Sequence, residues 1–398
     1  MLYPVILALI WPVLLLARLA RGESGRDLAE RLGRARGMGP VLWLHGASNG
    51  ELTSARWLIA RLRLQRPDLP ILVTCNTLTA RDMVRGWLMA GVSATLAPLD
   101  AGFAVSAFLR RWRPVALISL EAEVWPTRLA ACKRAQVPVL MLGARMSARS
   151  AARWRRFGGL ASASLAGIAY ASAQDAGSRR HLCDLGLPAV VCGPEFDLKA
   201  HAVAILPLPV TMARADRANW LLAASTHDGE DEVIVDAFLA SGLGHLILAP
   251  RHPKRGDAIA ALLQRRGLAF VRRSKGAGPQ DARVLLADTL GEMDLWYARA
   301  GICVIGGTLS DKGGHTPWEP ARHGCALVHG PSIWNFAAPF AALDGAGAAL
   351  PVTAASLAAA LAGLTGPVQD RMARAANAVL ASSGDEKRLL QDILGHLR

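Results

Sequence analysis

Three stretches collect residue types that do chemistry, and each follows an apolar run. The first is His45-Gly46-Ala47-Ser48-Asn49-Gly50-Glu51, after Val41–Leu44. Ser48 and Glu51 stand at the spacing of a capping box, so the segment reads as a helix start. A carboxylate in a helix's first turn also stays ionised, and in a cleft it can take a proton as a general base. Both readings of Glu51 stand on residue types alone. The second stretch is Glu121-Ala122-Glu123-Val124-Trp125-Pro126, after Val115–Leu120. One of Glu121 and Glu123 can face a cleft while the other binds the scaffold; solvated loop acids are the alternative. Gly143-Ala144-Arg145-Met146-Ser147 adds a cation after the next apolar run.

The third stretch is Gly306-Gly307 through Gly313-Gly314-His315-Thr316-Pro317-Trp318-Glu319. Glycine lets a ligand approach the backbone closely. Thr316 suits an N-cap, Pro317 the first helical position, and Glu319 a capping box. A glycine loop feeding a helix start is an anion site, usually for phosphate. Further tips carry Ser225-Thr226-His227-Asp228-Gly229-Glu230, Pro250-Arg251-His252-Pro253 and Asp288-Thr289-Leu290-Gly291-Glu292. Ser225 or Thr226 can cap the helix that follows. Arg251, between prolines, suits a two-pronged phosphate contact.

These tips need elements to hold them. From Pro40 onward, apolar strands alternate with amphipathic helices, which predicts parallel sheets covered on both faces. Strands are expected at 41–45, 71–75, 92–96, 115–120, 137–142, 167–171 and 189–192, with one helix over 51–66 and a basic helical segment over 150–165. Residues 200–214 hold two prolines and no clear period and read as a linker. The pattern then restarts, with strands at 220–224, 245–249, 284–286, 302–305 and 326–328. The expected fold is α/β: two Rossmann-like domains facing a ligand cleft, with chemistry at the C-terminal ends of the strands. The boundaries are 1–20 for an anchor, 21–205 and 206–370 for the two domains, and 371–398 for final helices packing back toward the first domain.

Composition narrows the partners. The net charge of +14 points to an anion: nucleic acid, acidic lipid or a phosphorylated substrate. No zinc finger, RNP pattern or basic helix run appears, which disfavours nucleic acid. No GxxxxGK[ST], no GxGxxG after a first strand and no HExxH is present. The six cysteines show no metal spacing and read as reduced and buried. Met1–Ala17 holds no charged residue and is followed by Arg18, Arg21 and Arg26. That reads as a membrane attachment with the bulk of the chain on the cytoplasmic side.

Taken in order, these pieces resemble the Kdo (3-deoxy-D-manno-octulosonic acid) transferases of Gram-negative bacteria. The likeness covers the apolar N-terminus, Ser48-Asn49-Gly50-Glu51, Thr74 with Thr77 and Thr79, Glu121 through Pro126, and Ala144-Arg145-Met146-Ser147. It continues through Ala224–Glu230, Pro250-Arg251-His252, Asp288–Glu292, Gly306 through Pro320, and Gly330-Pro331 with Asn335-Phe336. The resemblance implies a GT-B glycosyltransferase with a membrane-anchored acceptor domain and a nucleotide-sugar domain. It implies CMP-Kdo as donor, a lipid A precursor as acceptor, inversion at the transferred sugar, and lipopolysaccharide synthesis at the cytoplasmic face of the inner membrane. Glu51 corresponds to the family's base, and Glu123, or else Glu121, to a second acid. CMP contacts map onto Pro250, Arg251, Leu290, Gly291, Glu292, Thr316, Pro317, Trp318 and Glu319. Ser48, Gly50, Ser225, Thr226, His252, Gly313, Gly314 and His315 support them.

No cofactor is implied, and no metal: the donor has one phosphate and the chain no Asp-x-Asp motif. Arg18, Arg21, Arg26, Arg31, Arg34 and Arg36 are expected to face anionic lipid. The chain departs from the family in three places. Thr316 stands where Asn is usual, Trp318 where Leu is usual, and Glu195 where the family has Lys, with Lys199 nearby. The departures leave open another nucleotide sugar, or a non-catalytic relative that binds nucleotide or anionic lipid.

Overall fold

The computed structural model of the 398-residue chain describes residues 11–13, 15–37, 39–121, 124–206 and 213–397. Glu123 and residues 1–10 and 14 of the apolar N-terminus lie outside them. The chain divides into two compact units, Met1–Ala202 with Ser383–Arg398, and Val203–Ser382.

The first unit holds β1 (Val41–His45), β2 (Ile71–Cys75), β3 (Val92–Leu96), β4 (Pro114–Leu120), β5 (Val139–Ala144) and β6 (Ile168–Ala173). They pair in parallel in the order β3-β2-β1-β4-β5-β6. β1, β2 and β5 are buried at every residue, as a parallel sheet covered on both faces requires. Alternation along β1 serves two cores. Leu42 and Leu44 join Leu58, Ile59 and Leu62 of the helix Arg56–Gln65. Trp43 joins Phe108 of the helix Gly102–Trp112 on the other face, ring centroids 4.3 Å apart. Each such side chain contributes about 1.5–3 kcal/mol by leaving water. The strand order reverses between β1 and β4, which opens a crevice at their C-terminal ends. His45–Glu51 leaves one of those ends and Glu121 the other.

The second unit holds β7 (Trp220–Thr226), β8 (His245–Pro250), β9 (Phe270–Arg272), β10 (Val284–Leu286), β11 (Ile302–Ile305), β12 (Ala326–His329) and β13 (Ala349–Pro351). Their order is β13-β12-β11-β7-β8-β10-β9, again parallel. Leu221 and Ala223 of β7 pack with Ile234 and Phe238 of the helix Glu230–Ser241. Here the reversal lies between β7 and β11, which end in Thr226 and Ile305. The Ser225-Thr226-His227 and Gly306-Gly307 stretches leave those two ends.

The structure departs from several expectations. The helix expected over 51–66 is two, Asn49–Ser54 and Arg56–Gln65, because Ser54 Oγ donates to Glu51 O at 2.8 Å and Ala55 leaves helical geometry. The basic segment over 150–165 is likewise two helices, Ala148–Arg155 and Gly158–Leu165. Ala189–Val191 is a 3-10 turn, and only Cys192 bridges to β6, at Ala171. The stretch read as linker overlaps a helix, Leu198–Ala204. Residues 371–398 do not pack as one group. Gly366–Ala381 belongs to the second unit, where Gln369 Nε2 donates to Ala218 O (2.9 Å) and Leu364 O (2.7 Å). Glu386–Gly395 belongs to the first, where Glu386 meets Arg61 (2.8 Å) and His201 (3.1 Å).

Near the N-terminus, residues 11–13 and 15–20 are helical. Val13, Leu16 and Leu19 are exposed, and Trp11 meets Phe103 edge-on at 5.3 Å. Among the described residues no helix is long and apolar enough to cross a membrane.

Candidate functional site

In the first unit, Trp43 Nε1 donates to Thr74 Oγ1 (2.8 Å), and His45 Nδ1 stands 2.9 Å from the same oxygen. These bonds tie the end of β1 to β2 and fix where the next loop begins. Ser48 caps the helix Asn49–Ser54, its Oγ accepting from Glu51 N at 3.4 Å. The Glu51 carboxylate turns back, accepting from Ser48 Oγ (2.9 Å) and, one residue beyond the ordinary capping box, from Ala47 N (2.8 Å). Capping and chemistry are therefore not rivals: the cap sets the carboxylate's direction. Glu51 is 9% exposed, and nothing lies within 4 Å of where a side chain at Gly50 would point.

Glu121 adopts φ 52°, an uncommon conformation for a residue with a side chain. Its carboxylate pairs with Lys199 Nζ. Lys199 lies in the helix Leu198–Ala204, whose first N–H groups, those of Lys199 (2.9 Å) and Ala200 (3.0 Å), donate to Asp197 Oδ1. Glu195, at the position of the family's Lys, is exposed. Nothing in the spacing signals the Glu121–Lys199 pair, which joins residues far apart in sequence.

In the second unit the glycine loop is not built as expected. Its N–H groups do not form an open anion cradle; the protein already uses them. The carboxylate of Glu230, 0% exposed, accepts from Gly307 N (2.7 Å), Leu309 N (2.9 Å), Ser310 N (3.1 Å) and His227 N (2.8 Å). Gly313 N donates to Ser332 Oγ (3.0 Å) and Gly314 N to Gly307 O (2.8 Å). The helix start is also different. The helix runs Trp318–Arg322, Pro317 occupies the cap position rather than the first turn, and no side chain closes a capping box. Trp318 N is 3.4 Å from Thr316 Oγ1. The Trp318 ring is buried. Glu319 lies 3.5 Å from Tyr297 Oη, and loss of solvation together with the nearby Asp294 pushes its carboxyl up.

What the tips do bring together is a cation-rich group. Arg251 N donates to Thr226 O (3.0 Å), which sets the end of β8 against β7. Arg255 donates to the same carbonyl (3.0 Å) and pairs with Asp231, which also accepts from Thr226 Oγ1 (2.5 Å). Ser225 adopts φ 58°. His227 and His315 meet Nε2 to Nε2 at 2.9 Å with nearly parallel rings, and His252 meets His227 edge-on at 6.1 Å. Burial, then the charge of Arg251, lowers His315 to about 4. Burial also lowers His227, with Glu230 opposing and His252 adding to the effect. The influence of Arg251 reaches Glu319 too. Arg251, His252, His227, His315 and Glu319 thus form one electrostatic group.

Other expected contacts stand apart. Pro250 and Pro317 are buried, and Leu290 is 76% exposed. Glu292 is engaged by Arg273 at 2.7 and 3.0 Å, which holds its carboxyl below the ordinary value. His227, Glu230 and Tyr297 were absent from the expected site. The available signal was that His227 and the loop carrying His315 follow β7 and β11, the strands flanking the reversal.

Residues 26–199 match the family model described as 3-Deoxy-D-manno-octulosonic-acid transferase (kdotransferase). The chain is 34% identical to the 3-deoxy-D-manno-octulosonic acid transferase of Bordetella pertussis over 95% of its own length and 93% of that protein's. It is 30% identical to the Haemophilus influenzae protein of the same description, over 87% and 81%. Among solved structures, the UDP-GlcNAc 2-epimerase of Neisseria meningitidis bound to UDP-GlcNAc is similar in fold. Its TM-score is 0.64 at 14% identity, covering 89% of this chain and 99% of that one.

Proposed function

The chain belongs to the 3-deoxy-D-manno-octulosonic acid transferase family, and we propose that it moves Kdo from CMP-Kdo to a lipid A precursor, with inversion. The observation that carries the reading is the match to the Bordetella pertussis relative across both units. Glu51 is the base. It takes the proton of an acceptor sugar hydroxyl while that oxygen forms a bond to the anomeric carbon of Kdo. The bond from that carbon to the phosphate oxygen breaks, and CMP leaves with the electron pair. The carboxylate suits this role because Ala47 N and Ser48 Oγ fix its direction. Arg251 carries the charge that grows on the phosphate. Glu319, with its raised affinity for a proton, serves the ribose hydroxyls rather than the phosphate.

Membrane attachment on the cytoplasmic face belongs to the same proposal. The helical residues 11–13 and 15–20 expose Val13, Leu16 and Leu19 and end near Arg18 and Arg21. Arg31 is withdrawn from the expected basic surface: it is buried and paired with Glu23 at 2.8 Å.

The test is transfer by the purified full chain from CMP-Kdo to a lipid A precursor. Glu51→Gln is expected to lose turnover by about 10²–10⁴-fold, the usual worth of a general base, while CMP binding by calorimetry is unchanged. Turnover that survives in Glu51→Gln removes the base assignment. Thermal shifts with CMP, UDP and GDP check the donor: a shift largest with UDP or GDP removes CMP.

A further inference from the structure

The His227–His315 pair has a chemical property that the donor reading does not use. Its two Nε2 atoms are 2.9 Å apart, so one ring donates and the other accepts. The accepting ring carries its proton on Nδ1, and the donating ring leaves its own Nδ1 bare. A proton added to that bare nitrogen gives the pair one positive charge and leaves the bridge intact. A second added proton would put N–H against N–H and break it. The pair is thus built to exist in two charge states, neutral and singly positive.

Its protein surroundings disfavour the positive state. Arg251 and His252 bear on it from the end of β8, Arg255 from the turn that follows, and Lys312 from the glycine loop. The carboxylate that bears on it, Glu230, is committed to four backbone N–H groups. Glu319, the other acid near Arg251, is itself pushed toward its neutral form by burial and by Asp294, so a positive charge on the pair calls for a counter-ion. An anion entering beside Arg251 supplies one, and an opposite charge at such range raises a histidine's pKa by about 1–3 units.

We propose that the His227–His315 pair binds the phosphate of the leaving nucleotide and takes up one proton from solvent as CMP forms. This rests on the donor reading above. In CMP-Kdo the phosphate is a diester with one negative charge. When the bond from the anomeric carbon to the phosphate oxygen breaks, the electron pair stays on that oxygen and the phosphate becomes a monoester with a second charge. The acceptor's proton goes to Glu51, so it does not neutralise this charge. The pair does, by changing from neutral to singly positive. The site thus follows the phosphate's charge and favours the state that develops during the reaction over the ground state.

The test is calorimetry of CMP binding to the full chain at pH 7, in buffers of different ionisation enthalpy. The wild type is expected to take up a measurable fraction of a proton on binding, and His227→Asn and His315→Asn clearly less. The nucleotide's own phosphate contributes equally in all three, so the difference belongs to the pair. Should the variants fold poorly, the wild type alone decides. Its CMP affinity is expected to strengthen as pH falls from 8 to 6.5, by no more than about tenfold per unit for one coupled proton. CMP bound with equal proton uptake in all three proteins, or with pH-independent wild-type affinity, overturns the inference and leaves the donor reading standing. No CMP binding at millimolar concentration removes both.

Discussion

At the scale of residues, two glutamates show how bonding decides role. Glu51 and Glu230 each follow a glycine, each lie in the first turn of the first helix after the first strand of a unit, and each reach back to a backbone N–H. An ionised carboxylate offers about four acceptor sites. Four backbone N–H groups fill those of Glu230, so it has nothing to offer a hydroxyl and acts as a fastener for the glycine loop. Glu51 accepts from Ala47 N and from the Ser48 hydroxyl, a group free to rotate. Removing the Glu230 carboxylate leaves several N–H groups buried without partners, each costing about 1–3 kcal/mol. Glu230→Ala is therefore expected to lose about 3 kcal/mol or more of stability, read as a lowered urea midpoint. Glu230→Gln is expected to fall between, since its amide oxygen accepts but its NH2 faces other donors. A Glu230→Ala midpoint equal to wild type would show that the loop holds without it. None of this is visible in the sequence, where Gly229-Glu230 is one more helix start.

At the scale of elements, legibility followed length and burial. The long central strands were readable because a strand covered on both faces is a continuous apolar run, as in β1, β2 and β8. β9 and β13 were not, because three-residue strands at a sheet edge have no room for a pattern. The short apolar run 189–192 imitates a strand yet turns after Pro188. The glycine loop was legible as a loop but not in its purpose. Its N–H groups looked available because the acceptor that takes them, Glu230, is about 77 residues away in sequence. The first glycine is there for contact: a Cβ on Gly306 would stand 2.3 Å from Ser225 O and 2.7 Å from Ala224 O, where β7 and β11 run side by side. Both neighbours are backbone and yield only by moving the strands apart. Gly306→Ala is expected to cost about 1–3 kcal/mol and to weaken CMP binding with it. Gly363→Ala, with open space around it, is the control and should be neutral or slightly stabilising. Equal melting of the two variants would mean that the β7–β11 junction is not tight.

At the scale of the whole molecule, the net charge of +14 has to be located before it can be used. Part of the basic excess near the N-terminus is internally spent. Arg31 is paired with Glu23, Arg81 with Asp27 and Glu30, and Arg85 with Glu30. Burial works against ionised Asp27, but its bonds from Ser24 and Arg81 outweigh this and hold it at about 2. These pairs are scaffold. Arg21, Arg26, Arg34 and Arg36 remain exposed. Arg34, Arg110, Arg111 and Arg113 also line a recess of about 540 Å³ that no acidic residue lines. The same helix, Gly102–Trp112, exposes Phe103 at its other end, beside Trp11 and the apolar residues Val13, Leu16 and Leu19. A surface with exposed apolar groups next to unspent arginines favours an anionic bilayer over a neutral one, by about 1 kcal/mol for each basic residue near the lipid. The full chain is therefore expected to float with vesicles containing phosphatidylglycerol and less with phosphatidylcholine alone. Raising salt from 0.1 to 0.5 M should weaken the first far more than the second, because screening acts on charge and not on apolar insertion. The double substitution Arg110→Glu, Arg111→Glu should lose the preference for anionic vesicles and keep the salt-resistant remainder. If it keeps the preference, the recess is not part of the lipid-facing surface, and the charge that matters lies with Arg21, Arg26, Arg34 and Arg36.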